Sequence, residues 1–484
     1  MRSPGGPGHT GSTGDPARVD TRCPLPRRAG SLPARGHRCA ARRPAIVALL
    51  AAAALSACAT YSDRMRGARD AASAGDYASA VASLNEALGV RNAGELPDRF
   101  AGNRPLVVLE RGTLQQAHGR YDQSRRDLGA AEQEIELLDL TADGIGALGK
   151  YLYSDSVRKY RAPPSERLSL NAINLLNYLA VGDLAGAAVE ARRFTVMREY
   201  LATEGIEAVR PAALGSYLAG TVFEHLGEGD RALRYYDEAL AAGELPSLVA
   251  PVRRLAAVYP YRGANLKRLL EPRSAARTRP APPPGELLVV LALGRVPHKV
   301  PERIPVGAAI GIAGAFATSE WKWLEYGVAK VLVYPELADS TNTLGEARVQ
   351  VDGEEQPLDL VADLDAAVRT EYDAAKPAIL AAALSRMAAR AAVAEGARAA
   401  GSVQSDALGA VVAILAESAL VTLDRPDTRS WTLLPGRVLA TRVALPPGQH
   451  TVEVHLAGSP VAERTQQIVV TPGGLSSVIL TEPR

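Results

Sequence analysis

The chain is poor in the residues that carry most covalent bracing and much of protein chemistry. Its 484 residues include 3 Cys, 4 Phe, 3 Trp, 4 Met and 7 His. So few cysteines exclude a disulfide framework. Neither sign of charge dominates, with 55 basic and 53 acidic residues for a net of +2, so there is no basic footprint for nucleic acid. No apolar run reaches the roughly 20 residues of a spanning helix. The sequences H-E-x-x-H, G-x-S-x-G and the Walker phosphate loop are absent, so zinc-protease, nucleophile-elbow and P-loop chemistry have no local signature. What is present is globular: 47% hydrophobic and 22% charged residues exclude wholesale disorder.

Residues 1–41 are rich in Pro, Gly, Ser, Thr and Arg and show no hydrophobic period. They read as a disordered lead-in, long enough to suggest a translation start downstream of Met1. Residues 42–57 read as a signal peptide: Arg42 and Arg43, an apolar run from Ala45 to Leu55, then Ser56 and Ala57 before Cys58. The run is too short to span a bilayer. The order of basic flank, short apolar run, small residues and cysteine resembles the lipobox of bacterial lipoproteins. That resemblance implies cleavage between Ala57 and Cys58, diacylation of the Cys58 thiol and acylation of the new amino terminus. Two chains anchor stably where one is marginal, at about 0.8 kcal/mol per buried CH₂. Ala59, a non-Asp residue after the cysteine, implies by the same resemblance the periplasmic face of the outer membrane. Cleavage would remove nine Arg and two Asp, leaving 46 basic and 51 acidic residues and a net of −5. Cys23 and Cys39 would go too, leaving Cys58 as the only mature cysteine and no zinc-thiolate site or cysteine nucleophile.

Residues 58–275 are rich in helix formers. Gly75, Gly119, Gly182 and Gly227 each precede a helical pattern with key residues at offsets five, nine and twelve: Ala80-Leu84-Ala87, Ser124-Leu128-Ala131, Ala187-Ala191-Phe194 and Ala232-Tyr236-Ala239. Those offsets share one helix face, and each glycine suits the tight turn before it. The phrase resembles the second half of a tetratricopeptide (TPR) unit. Gly112 and Gly220 fall at that family's small packing position, Tyr178 and Phe223 at its aromatic one. The glycines lie 44, 63 and 45 residues apart, not at the family's regular 34, and the consensus proline is missing. The expectation is four imperfect helical hairpins in a solenoid.

Residues 276–285 form a proline-rich linker, expected to be extended. Beyond it, 286–484 reads as an α+β domain with antiparallel, sandwich-like strands. Leu287–Leu293 is a continuous apolar run suited to a buried strand. Pro297, Pro301 and Pro305 mark a loop. Val328–Val333, Ala347–Val351 and Pro357–Leu360 read as strands, and Leu364–Ala400 as two helices or one kinked helix, limited by Pro377. Ala407–Leu420 reads as another helix. Arg437–Leu445, Gln449–Leu456, Gln467–Val470 and Ser476–Leu480 read as strands separated by Pro-Gly turns. This tail resembles the small β-sandwich or PEGA-like modules of bacterial envelope proteins. The phrases Asn177-Tyr178-Leu179 with Val189-Glu190-Ala191-Arg192-Arg193, and Asp427-Thr428-Arg429-Ser430-Trp431 with Leu445-Pro446-Pro447-Gly448, join the lipobox in a wider resemblance. They look like a family of uncharacterised bacterial lipoproteins with a TPR-like half and a β-rich half, and the likeness implies no activity.

Candidate contact residues are few. Asn171, Asn174 and Asn177 share a helix stripe, two of them at positions expected to be apolar. A buried carboxamide needs partners, from nearby backbone or from a ligand. Arg192 and Arg193 suit a carboxylate or phosphate, or a solvated face paired with Glu. Arg429 could hold an anion and Trp431 could stack on a sugar or peptide, or both could simply pack. Asn171, Asn174, Arg192, Arg193, Arg429 and Trp431, with Tyr178 and Tyr217, make the partner-contact set. His450 and His455 differ in strand parity, which argues against a shared metal. No catalytic residue, metal ligand or small-molecule cofactor is assigned. The reading is a periplasmic, lipid-anchored scaffold that binds a protein or peptide in envelope assembly or export. The competing readings are an envelope hydrolase or transferase acting on glycan or peptide, and a purely structural subunit of an outer-membrane complex.

Overall fold

Four helix-to-helix turns set the pattern of the first half. Gly75, Gly119, Gly182 and Gly227 all have left-handed φ, between +71° and +80°. After each, an amide reaches back five residues: Asp76 to Ala71, Arg120 to Gln115, Asp183 to Tyr178 and Glu228 to Phe223, at 2.8–2.9 Å. These are Schellman closures, which need a residue without a Cβ penalty at positive φ. The computed structural model describes residues 59–135, 160–270, 285–313, 331–340, 346–402, 426–458 and 463–484. Ala57, Cys58, the lead-in, nearly all of the proline-rich linker and the Ala407–Leu420 stretch lie outside them.

The helices flanking the four turns are α1 (Tyr61–Ser73) and α2 (Tyr77–Leu88), α3 (Arg104–Ala117) and α4 (Tyr121–Glu134), α5 (Pro164–Ala180) and α6 (Leu184–Thr203), α7 (Val209–His225) and α8 (Gly229–Ala239). Consecutive helices pack on one another along the chain. The offset residues form the seams: all are buried except Ala87. A Cβ on Gly112 would strike Leu128, and one on Gly220 would strike Tyr236. In these two hairpins the small residue of the first helix therefore receives the large residue of the second. Two short helices, α9 (Val249–Ala256) and α10 (Ala264–Leu270), close this half against α8.

The change to strands falls between Leu270 and Glu286. One mixed sheet has the order β10-β1-β7-β6, from β1 (Glu286–Leu293), β6 (Asp359–Asp363), β7 (Arg437–Ala444) and β10 (Leu475–Glu482). A second, wholly antiparallel sheet is β5-β4-β8-β9, from β4 (Ala347–Val351), β5 (Glu354–Gln356), β8 (Gly448–Leu456) and β9 (Glu463–Val470). Antiparallel pairing dominates as expected, but β1 and β10 pair parallel. The Pro297–Pro305 segment is not a loop: β2 (His298–Pro305) pairs with β3 (Val331–Ala338) in a two-stranded ribbon, with Pro301 opposite Pro335. Both strands are edges, where a missing N–H is tolerated. Alongside lie α11 (Val306–Ala313) and α12 (Leu364–Ser402), which contains Pro377.

The apolar run of β1 explains how the halves join. Leu288, Val290 and Ala292 belong to the core that holds the helices. Leu287, Val289, Leu291 and Leu293 belong to the core between the two sheets. Alternation along one strand thus serves two cores, and the layers run helices, mixed sheet, second sheet. The chain from Ser56 to Arg484 forms one compact unit, so the two halves differ in element class while sharing a core. Among the described residues, no helix is long and apolar enough to cross a membrane.

Candidate functional site

The first helices of the hairpins meet the rest of the chain through polar groups. On α3, every residue from Pro105 to Ala117 is buried. The seam residues face α4, and Glu110, Thr113 and Gln116 face the strand half. There the segment from Pro426 to Gly436 lies against α1, α3 and α5 as a strap. Glu110 accepts from Thr432 N at 2.7 Å, Thr432 Oγ1 at 2.8 Å, Leu433 N at 2.8 Å and the Tyr61 hydroxyl at 3.2 Å. Trp431 is fully buried; its Nε1 donates to Thr113 Oγ1 and its backbone N to Glu166 Oε1, each at 2.9 Å. Ser62 N donates to Thr428 Oγ1 at 3.1 Å. Gln116 accepts from Thr481 Oγ1 of β10 at 2.8 Å. Extended backbone carries donors that a helix surface cannot match with its own amides, so side-chain carboxylates supply the acceptors.

A group of carboxyls lies behind the strap, with Glu110 and Glu166 buried and Glu371 partly exposed. Burial pushes the Glu110 carboxyl up to about 7, although the strap donors oppose it. Burial also raises Glu166 and takes Glu371 of α12 up to about 8, with Glu371 accepting from Ser165 N at 2.8 Å and Ser165 Oγ at 2.7 Å. Lys299 of β2 lies among them, lowered by burial, and donates to the Arg429 carbonyl at 3.3 Å. A second buried node joins α7 to the mixed sheet. Arg442 Nη2 donates to Glu224 at 2.8 Å, and Arg442 also contacts Glu286. Burial raises Glu286, and Arg442 and His225 outweigh it, leaving the group well below the usual carboxylate range.

Most of the partner-contact candidates from the sequence lie inside these packings. Asn171 donates to Glu132 at 2.8 Å and Glu190 at 3.1 Å; Asn174 accepts from Asn177 at 3.2 Å. The Tyr217 hydroxyl meets Ser247 Oγ at 2.9 Å. Arg429 is 2% exposed and forks onto Asp427 at 2.6 and 2.8 Å. The open cleft that an enzyme reading asked of Arg429 and Ser430 is a buried strap instead. Tyr178 is half-buried under the Arg125 guanidinium, 5.4 Å from its ring centre. Arg192 and Arg193 alone among the set are exposed. They lie on the outer face of α6 between Val189 and Val196, which are 44% and 58% exposed. The spacing 189, 192, 193, 196 is one helical stripe. Arg193 is braced by Glu132 at 2.9 Å and Glu190 at 3.1 Å.

Sequence reasoning missed Glu110, Glu166, Glu371 and Lys299. The signal for Glu110 was available: one carboxylate within Leu106-Val107-Val108-Leu109, Gly112 and Leu114 has no solvent face to occupy. A further cleft of about 610 Å³ lies between the first two helical turns and strands β8–β10, with His118, Tyr121, Arg464 and Arg484 on its walls. The chain matches no protein-family model, no curated protein and no solved structure.

Proposed function

We propose that this is a lipid-anchored periplasmic protein whose TPR-like hairpin array serves as a protein-protein interaction scaffold in envelope assembly or export. The lipobox-like sequence at Cys58 supports the anchor. The four phase-locked hairpins support the TPR-like reading. The observation that carries the scaffold role is the α6 stripe: two exposed valines bracketing two exposed arginines on the outer side of the array. Inner helices are occupied by the chain's own strap and mixed sheet, so a partner docks on the second helices. Apolar anchors flanking cations suit a polypeptide with acidic residues set among apolar ones.

A photo-crosslinking residue replacing Val196 in the full-length protein tests this in intact cells. The expected result is one defined envelope polypeptide, trapped at Val196 and not at exposed Val469 of β9, and lost in the Cys58→Ala variant. The same adducts at both positions, or none at Val196, would reject the docking face.

A further inference from the structure

The fold begins almost at the lipidation position. Thr60 is 9% exposed and caps α1. Its N–H donates to Asp63 Oδ2 at 3.1 Å while Asp63 N donates back to Thr60 Oγ1 at 3.4 Å, a capping box. The next two residues are buried and bonded to distant parts of the chain, Tyr61 to Glu110 and Ser62 to Thr428. From Thr60 onward the backbone therefore has no freedom to act as a tether. Only Ala59 separates it from Cys58, two residue steps that reach about 7 Å when fully extended.

We propose that the folded body lies flush on the bilayer that holds the Cys58 acyl chains, with the first turns of α1 at the lipid headgroups. The proposal rests on the lipid anchor of the preceding section. An acylated Cys58 sits at headgroup level, and a headgroup layer is itself about 5–8 Å deep, from a hydrocarbon core of about 30 Å within 40–45 Å in all. A 7 Å link therefore cannot lift the body clear of it. The surface placed there is suited to anionic lipid. Arg64 and Arg66 are exposed on the first two turns of α1, and Arg64 lies about 5 Å along the axis from Tyr61 at 1.5 Å per residue. Juxtamembrane arginines are drawn to anionic headgroups. The array is thus held at one fixed end, and a partner must come to the membrane surface to meet it.

The mature chain offers a clean test, because Cys58 is its only cysteine and an acylated thiol does not take a label. Full-length protein carrying Arg64→Cys, or separately Arg262→Cys in the exposed turn before α10, is purified in its lipidated form. Each is labelled with a thiol fluorophore and placed in phosphatidylethanolamine–phosphatidylglycerol vesicles bearing nitroxide headgroups. Quenching at residue 64 is expected to exceed that at residue 262 at least threefold. Twelve Gly/Ser residues inserted between Ala59 and Thr60, about 19 Å of flexible reach, should bring residue 64 down to the level of residue 262. Arg66→Cys repeats the measurement should Arg64→Cys lower the melting temperature. Equal quenching at the two positions, or no response to the spacer, overturns flush seating while leaving the anchor intact. An intact mass showing no acyl chains on Cys58 overturns the anchor itself.

Discussion

In the second, third and fourth hairpins the first and second helices live under different constraints. Glycine-phased seams join them, but α3 and α5 are buried on nearly every side, whereas α6 buries one stripe and exposes another. An all-round buried helix must solve two packing problems at once. The seam side of α3 is solved with small-to-large packing at Gly112 and Leu128, the strap side with Glu110, Thr113 and Gln116. An outer helix solves only the first, and its other face is free to vary or to bind. Residues of the same array thus carry packing on one side and leave the other side open to solvent.

That contrast can be broken by substitution. Trp431→Ala should have the largest effect, about 3–5 kcal/mol from a buried indole lost, read as a shift of the urea midpoint. A loss under about 1 kcal/mol would mean that the strap does not hold the halves together. Glu110→Ala leaves the amides of Thr432 and Leu433 without acceptors and should cost about 3 kcal/mol, at 1–3 kcal/mol for each orphaned donor. pH sharpens the same point. The carboxyls of Glu110 and Glu371 titrate near 7 and 8 in the fold and near 4.5 when free. The folded state therefore holds protons that the unfolded chain releases, and stability should fall as pH rises from about 4.5 to 8. Glu371→Gln should flatten the upper part of that decline in urea titrations at pH 5 and 8.5; an unchanged slope would place its origin elsewhere. Asp183→Ala, which removes the acceptor for Gly186 N at 2.8 Å, should cost about 1 kcal/mol by thermal melting, as a lost N-cap. Smallest of all, Val196→Asp on the outer stripe should stay within about 0.5 kcal/mol of the parent while abolishing crosslinks made from a photo-crosslinking residue placed at Val189 of the same stripe. If it destabilised as much as Trp431→Ala, the division between inner and outer helices would be wrong.

Local rules were legible in the sequence wherever chain neighbours decide the outcome. The four glycine turns, the offset seams and β4 (Ala347–Val351) all follow from spacing and turn chemistry. The double-sided β1 was legible because a strand that is apolar at seven consecutive positions must be buried on both faces. What escaped was decided by distant partners. Pro301 and Pro305 read as loop because edge status is not a local property. The asparagine stripe was visible as polar and buried, but its partners on α4 and α6 were not. Asp427-Thr428-Arg429-Ser430-Trp431 looked like a ligand site because a strap needs the same residues: an aromatic anchor, hydroxyls, and an arginine closed on its own aspartate.

The parallel pairing of β1 with β10 has a consequence in time. Thr481 closes onto Gln116, 365 residues earlier, and β10 completes one flank of the strand that both cores share. Contacts this far apart in the chain form late and slowly. The shared core can therefore mature only once β10 has been synthesised, and until then β1 has an unpaired edge. A fold that waits for β10 keeps most of the preceding chain from locking into its native core for as long as that strand is missing.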